Sequence, residues 1–445
     1  MSLGEACSQA GGDIQTGPFG SQLHASDYVT AGVPSIMPQN IGDNRVNVTG
    51  IAQITPEDAD RLARYKVRTG DIVYSRRGDV ERRALIRETE DGWLCGTGCL
   101  RIRFENTSID PQYASYYLGH KTVREWIVRH AQGATMLNLN TAILSALPFV
   151  VPPKKDQRAI ASILGSLDDK IELNRRTCET LEEMARAIFK SWFVDFDPVH
   201  AKMAGEKPEA ICARLGLTRE ILDLFPNNLV DSELGEIPEG WMPATLNDFA
   251  KLSTDALSPF EYPNEYFDHY SIPAYDLDRL PAKDRGQDIK SNKYVVIRNS
   301  VLVSKLNPET PRVWLPIVGE SRAVCSTEFM QFVPNNQKQR VFLYGLLTSS
   351  PVQDAILCRA TGSTGSRQRA QPMNVATMCV MKPHSDTILA YCMRIAPLLD
   401  EAEKKRTEGH LLANIRDTLL HKLISGEVVI SIEGKADNSI RRAAR

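Results

Sequence analysis

The 445-residue sequence has no run of about 18 consecutive apolar residues, so no membrane-crossing helix is expected. Its first residues, "MSLGEACSQAGGD", carry neither a basic segment nor an apolar core, which argues against a secretory leader and for a cytoplasmic location. There is no G-x-x-x-x-G-K-[ST] phosphate loop, which excludes a nucleotide-driven motor of that class. The Asn/Asp-Pro-Pro-aromatic string of adenine methyltransferases is also missing. Its nearest approaches, "LNPET" and "DFDPVH", lack the second proline and the aromatic. The nine cysteines form an odd set without a CxxC pair or nearby histidines, so neither a disulfide framework nor a zinc site is expected. Histidines 24, 120, 130, 269, 384, 410 and 421 show no paired spacing. Asp195, Asp197 and His200 in "DFDPVH" sit in one turn without further ligands, which suits a hydrogen-bonded helix exit better than a metal. A formal net charge of -2 advertises no polyanion partner, so any surface for nucleic acid must be local.

What is present is repetition. The length calls for two or three domains, and the second half can be laid on the first at a nearly constant offset. "GDIVYSRRGD" falls on "NSVLVSKLNP", matching Ser75 to Ser304. "WLCGTGCLRIRFEN" falls on "AVCSTEFMQFVPNN", matching Cys95 to Cys325. "RHAQGAT" falls on "CRATGST", matching Gly133 to Gly362 and Thr135 to Thr364. Within each copy, the Val/Ile/Phe-rich runs "DIVYS", "LRIRF", "YVVIR", "VLVSK" and "MQFVP" predict strands between turns. "PQYASYYLGHKTVREWIVRHA" and "KQRVFLYGLLTSSPVQDAILCRA" predict helices.

After each copy the texture becomes helical. Ile160, Leu164, Leu167, Ile171, Asn174, Cys178, Leu181, Ala185 and Ile188 alternate spacings of four and three, a heptad seam that needs a partner helix. The best partner in the chain is the later stripe Ile388, Ile395, Leu399, Leu412, Ile415, Leu419 and Leu423. Asn174 is a polar residue at a seam position, a type that fixes register. The expected fold is therefore α+β: two mixed α/β units related by an internal pseudo-repeat and joined by two long helices in an antiparallel coiled coil.

Three ordered stretches, "PPKKDQRAIASILGSLDDKIELNRR", "SWFVDFDPV" and "LFPNNLVDSELGEIPEGW", resemble the specificity subunits of Type I restriction-modification systems, and the resemblance extends over nearly the whole chain. It implies a target recognition domain over 1–153, a central spacer helix over 154–200 and a connector over 201–235. A second target recognition domain over 236–384, a distal spacer helix over 385–429 and a tail over 430–445 complete it. It also implies double-stranded DNA, methyltransferase subunits and restriction/translocase subunits as partners. S-adenosylmethionine, ATP and Mg2+ would belong to those partners, with no cofactor or metal in this chain and no catalysis of its own. One departure is that "LGE" near the start aligns with "LND" in "EGWMPATLNDFAKL", so the first domain is expected to lack an edge element.

Candidate DNA contacts are local. Between residues 61 and 87 there are nine basic residues and only three acidic ones. Arg76, Arg77, Arg82 and Arg83 in "YSRRGDVERR" follow a strand into a loop, where arginines contact phosphates or guanine edges. Lys305 follows the matching strand of the second copy. Arg367, Gln368 and Arg369 lie in "RATGSTGSRQRAQP", whose small residues let backbone approach DNA, with Arg suited to guanine and Gln to adenine. Phe19, Ser21 and Gln22 in "TGPFGSQLHASDY" resemble a loop common in the family. A helix of about 35 residues spans about 50 Å, enough to hold two domains over major grooves a turn apart, so an asymmetric bipartite site is expected. Leu164, Leu167, Ile171, Asn174, Leu181, Ile188, Leu412, Ile415 and Leu419 are the candidate coiled-coil and partner-binding positions. Two other classes fit the residues alone: a coiled-coil adaptor without DNA specificity, and a nuclease or methyltransferase with an unrecognised site.

Overall fold

The computed structural model of the chain describes residues 1–133, 136–361 and 368–428. Two compact units emerge: residues 1–171 with the chain from Leu411 onward (unit 1), and residues 172–410 (unit 2).

Unit 1 holds a five-stranded sheet in the spatial order Ile14–Thr16, Cys99–Ile102, Ile72–Ser75, Arg83–Leu85, Asp43–Asn44. Its central strands read IVYS and CLRI and are buried along their whole length, as continuous runs covered on both faces are. A second sheet runs Tyr28–Val29, Ala52–Ile54, Val33–Ile36, Leu94–Cys95. Unit 2 repeats the plan. Ala250–Ser253, Phe329–Pro334, Val301–Ser304 and Val313–Trp314 form one sheet, and Arg322–Cys325 lies in the other. Registers match as well as order. Ser75 pairs with Cys99 and Ser304 with Phe329, both antiparallel; Ile36 pairs with Cys95 and Tyr270 with Cys325, both parallel. All five runs expected to be strands contribute strand residues.

Each stretch expected to be helical divides into two helices. The first gives Pro111–Gly119 and Lys121–His130, with His120 extended between them. The second gives Arg340–Thr348 and Ser350–Cys358, with Ser349 extended. Pro351 sits in the first turn of the later helix, where its missing N–H costs nothing. At Gly119 any side chain would collide with the Arg83 guanidinium, so the break is where an arginine is accommodated.

The two long helices, Lys154–Phe193 and Ser385–Ile424, are 40 residues each, about 60 Å at 1.5 Å per residue. The central helix stops at Phe193 because Phe196 takes a left-handed conformation. Short helices Asp197–Met203, Pro208–Leu215 and Arg219–Leu222 then lead to a hairpin, Leu229–Ser232 with Gly235–Pro238. Within unit 1, Ile160 and Leu164 share a core with Leu419, Leu420 and Leu423. Within unit 2, Cys178 Sγ donates to the Ala402 carbonyl and Phe189 packs edge-on against Tyr391. In each unit residue numbers fall on one helix as they rise on the other, so the pairing is antiparallel.

The seam corrects the expected one. Leu164, Asn174, Cys178 and Ala185 are buried and Ile171 half-buried, but Leu167, Leu181 and Ile188 are only half-buried, and the residues after them, Asp168, Glu182 and Phe189, take the buried positions. Two of those three are acids, invisible to a search for apolar spacing. Asp168 is met by Arg416 at 2.8 Å, and Glu182 by Arg406 and by Arg279 at 2.6 Å. On the distal helix Leu412 and Leu419 are half-buried, Leu423 is buried and Ile415 is 40% exposed, so Ile415 is not a seam residue. Ser2 makes a single bridge to Pro148, whereas in unit 2 the strand Met242–Thr245 pairs along all four residues of Cys379–Lys382.

Candidate nucleic-acid interface

The strand Ile72–Ser75 leads into the basic loop, and a second loop straps it. Arg76 N donates to the Gly98 carbonyl (2.8 Å), Leu139 N to the Arg76 carbonyl (2.9 Å) and Gly78 N to the Leu137 carbonyl (3.1 Å), while Arg77 bridges Asn138. Unit 2 repeats the arrangement. Lys305 N donates to Glu328 O (2.9 Å), Ala370 N to Lys305 O (2.9 Å), Asn307 N to Gln368 O (3.0 Å), and Leu306 bridges Arg369. Even the turns agree: Gly78 and Asn307 both have positive φ, 75° and 50°, and Ser75 and Ser304 each turn a hydroxyl onto the carbonyl two residues on. Backbone geometry is thus held constant while the side chains differ, Arg76 against Lys305, Arg77 against Leu306, Gly98 against Glu328 and Asn138 against Arg369. Such loops on a scaffold of sheet can change what they read without refolding.

Of the nine basic residues between 61 and 87, five are ion-paired at the surface or in the fold: Arg61 with Asp58, Lys66 with Asp60, Arg68 with Glu105, Arg82 with Asp79, and Arg83 with Asp43. Arg64 lies over the Tyr65 ring, and burial lowers the Arg87 guanidinium from its ordinary value. Arg76 and Arg77 remain, with no acidic partner among the described residues. The Arg76 guanidinium lies 5.8 Å from the centre of the Phe19 ring, and its Nε is buried without a hydrogen-bond acceptor. Phe19 is itself 54% exposed. The structure therefore brings Phe19 and Arg76 together, and Arg77, next in the chain, is exposed. Ser21 is exposed. Gln22 braces the loop: its Oε1 accepts from Phe19 N (3.2 Å) and from the Tyr65 hydroxyl (2.9 Å).

Arg83 is corrected by the structure. It is 6% exposed, its Nε donates to the Ser115 carbonyl at 2.6 Å, and it lines an open cleft of about 730 Å³, so it is a structural residue of unit 1. In unit 2, Lys305 and Gln368 are half-buried and Arg369 exposed. Arg367 and the pair Thr135 and Thr364 lie outside the described residues. Sequence reasoning missed Glu328, which holds Arg369 in a fork, and the pairing of His120 with His421, whose ring nitrogens are 3.0 Å apart. The alignment that placed Cys325 on Cys95 already set Glu328 against Gly98 and was the available signal for the first. Asp195 and Asp197 hydrogen-bond Lys190 and Ser191, closing the exit of the central helix. Among the described residues no three His, Cys, Asp or Glu side chains are placed to hold a metal, and no single helix is long and apolar enough to cross a membrane.

A duplicated, strapped loop that carries cations and varies only in its side chains defines a recognition module. Residues 27–183 match the model of the Type I restriction modification DNA specificity domain. The Type I restriction enzyme HindI specificity subunit of Haemophilus influenzae is 24% identical, the match covering 89% of this chain and 95% of that protein. The MjaIX specificity subunit of Methanocaldococcus jannaschii is 23% identical over 71% of this chain and 69% of its own length. The crystal structure of the Type I restriction-modification S subunit from M. genitalium has the same fold, with a TM-score of 0.53, 17% identity, and coverage of 92% of this chain and 93% of that one. Residues 27–183 thus match a Type I restriction modification DNA specificity domain, and most of the chain is similar to specificity subunits of Type I restriction enzymes.

Proposed function

We propose that this chain reads an asymmetric bipartite DNA sequence, one half-site with each unit, and docks the methyltransferase and restriction subunits that carry S-adenosylmethionine, ATP and Mg2+. The observation behind this is the duplicated loop clamp, one backbone holding two different side-chain sets. Phe19, Ser21, Arg76, Arg77 and Arg82 serve one half-site, and Lys305, Gln368 and Arg369 the other; Arg367, also expected there, lies outside the described residues. Apolar side chains left exposed on the long helices, Leu173 and Met184 on the central one and Met393 and Leu411 on the distal one, suit protein partners.

On this reading the length of the central helix, the expected spacer, sets the unread gap between the half-sites. Removing one heptad between residues 160 and 188 shortens it by about 10 Å, or about three base pairs. Sequencing of modified adenines in cells carrying the shortened chain with its companion methyltransferase is expected to show both half-sites unchanged and the gap altered. An unaltered gap contradicts the proposal.

A further inference from the structure

Glu328 and Arg369 occupy matched positions of the clamp that in unit 1 are Gly98 and Asn138. The Glu328 carboxylate accepts from Arg369 Nε at 3.1 Å and from Nη2 at 3.1 Å, which uses the side edge of the guanidinium. The end edge, made by Nη1 and the second hydrogen of Nη2, has no acceptor among the described residues. Two parallel donors at that edge match the O6 and N7 acceptors of guanine in the major groove. A carboxylate beside an arginine repels a phosphate held at the arginine's far edge and so offsets part of that attraction, whereas a neutral base edge carries no net charge to be repelled. An arginine that must point its fork at a base edge gains orientation from the same neighbour. The pair also sits where the clamp is most tightly held, since the Glu328 carbonyl anchors Lys305 N and the Lys305 carbonyl anchors Ala370 N.

We propose that Arg369, positioned by Glu328, reads a guanine in the half-site of unit 2. This rests on the reading of unit 2 as a DNA-recognition unit and adds the base and the two residues that select it. Unit 1 has no acid at the matched position, so its half-site carries no equivalent requirement from this corner of the clamp.

The test uses the full chain assembled with its companion methyltransferase and duplexes carrying the methylated motif, or that motif with one base pair changed in the unit 2 half-site. The unaltered protein is expected to prefer guanine at one position by about 5- to 150-fold, the range of a good bidentate contact. Arg369→Lys keeps the charge and Glu328→Ala keeps the arginine, and both are expected to bring that preference close to 1 while discrimination in the other half-site stays intact. Arg369→Gln is expected to move the preference from guanine towards adenine, a switch that misfolding cannot produce. Full guanine preference in all three variants overturns the proposal and leaves the DNA-recognition reading standing. If the unaltered complex shows no motif that depends on this chain, the underlying reading fails first and takes the proposal with it.

Discussion

Replacing Arg416 by methionine tests the buried acid in the seam of unit 1. Asp168 is 6% exposed and accepts from the Tyr116 hydroxyl at 2.6 Å and from Arg416 Nη1 at 2.8 Å. Without Arg416 only the tyrosine remains, and its hydroxyl is already pushed above its ordinary value by burial and by Asp168. Removing one partner of a buried pair costs about 3–5 kcal/mol, because the other charge is left unpaired. The further ion pairs of Arg416 with exposed Asp43, at 3.4 Å, and exposed Asp417, at 2.8 Å, add little. For a unit of about 200 residues this corresponds to a fall of about 6–20 °C in the melting of unit 1. Asp168→Leu combined with Arg416→Met removes both charges and places apolar side chains in the seam, and is expected to fall within about 2 kcal/mol of the unaltered protein. Calorimetry of the two single variants and the double variant closes the cycle. Arg416→Met within about 1 kcal/mol of the unaltered protein, or a double variant as unstable as the single, refutes the assignment of Asp168 as a buried charge held by Arg416.

Three other outcomes are expected. Burial, and then His421, holds His120 below the ordinary imidazole value of 6.5, so the unfolded chain takes up the proton first and unit 1 loses stability as pH falls through 6.5; melting between pH 5 and 8 should show this slope, flattened in His120→Asn. Arg76→Ala and Arg77→Ala should each reduce the slope of log affinity against log salt by about 0.9 for every phosphate that is no longer neutralised, whereas Arg83→Ala should leave that slope alone and destabilise unit 1 by about 2–4 kcal/mol. Trp192, 1% exposed and in ring contact with Phe193, Phe225 and Tyr391, should cost about 3–5 kcal/mol when replaced by alanine, measured by urea unfolding of unit 2.

The repeat was legible because matched strands keep matched residues, Ser75 with Ser304 and Cys95 with Cys325, and the strand registers reproduce those matches. The strap was not legible as a contact. It joins residues about 60 apart, Arg76 to Leu139 and Lys305 to Ala370, through backbone groups that leave no side-chain pattern. Charge spacing alone also misplaced Arg83. A strand following an arginine-rich turn carries one more arginine inward, and only the carbonyl of Ser115 and the space at Gly119 show why it is tolerated there. The seam slipped by one residue at Leu167, Leu181 and Ile188 for a related reason. Buried acids with arginine partners satisfy a core position as well as leucine does, yet they read as solvent-facing in a one-dimensional pattern. His120 and His421 are 301 residues apart, and no local spacing joins them.

The most direct measurement is a map of modified adenines in the DNA of cells carrying this chain with its companion methyltransferase, set against cells lacking only this chain. One split motif with unlike halves is expected to lose its methylation when the chain is absent. Methylation that is the same in both contradicts it, and would leave the long helices as an adaptor without a reading function.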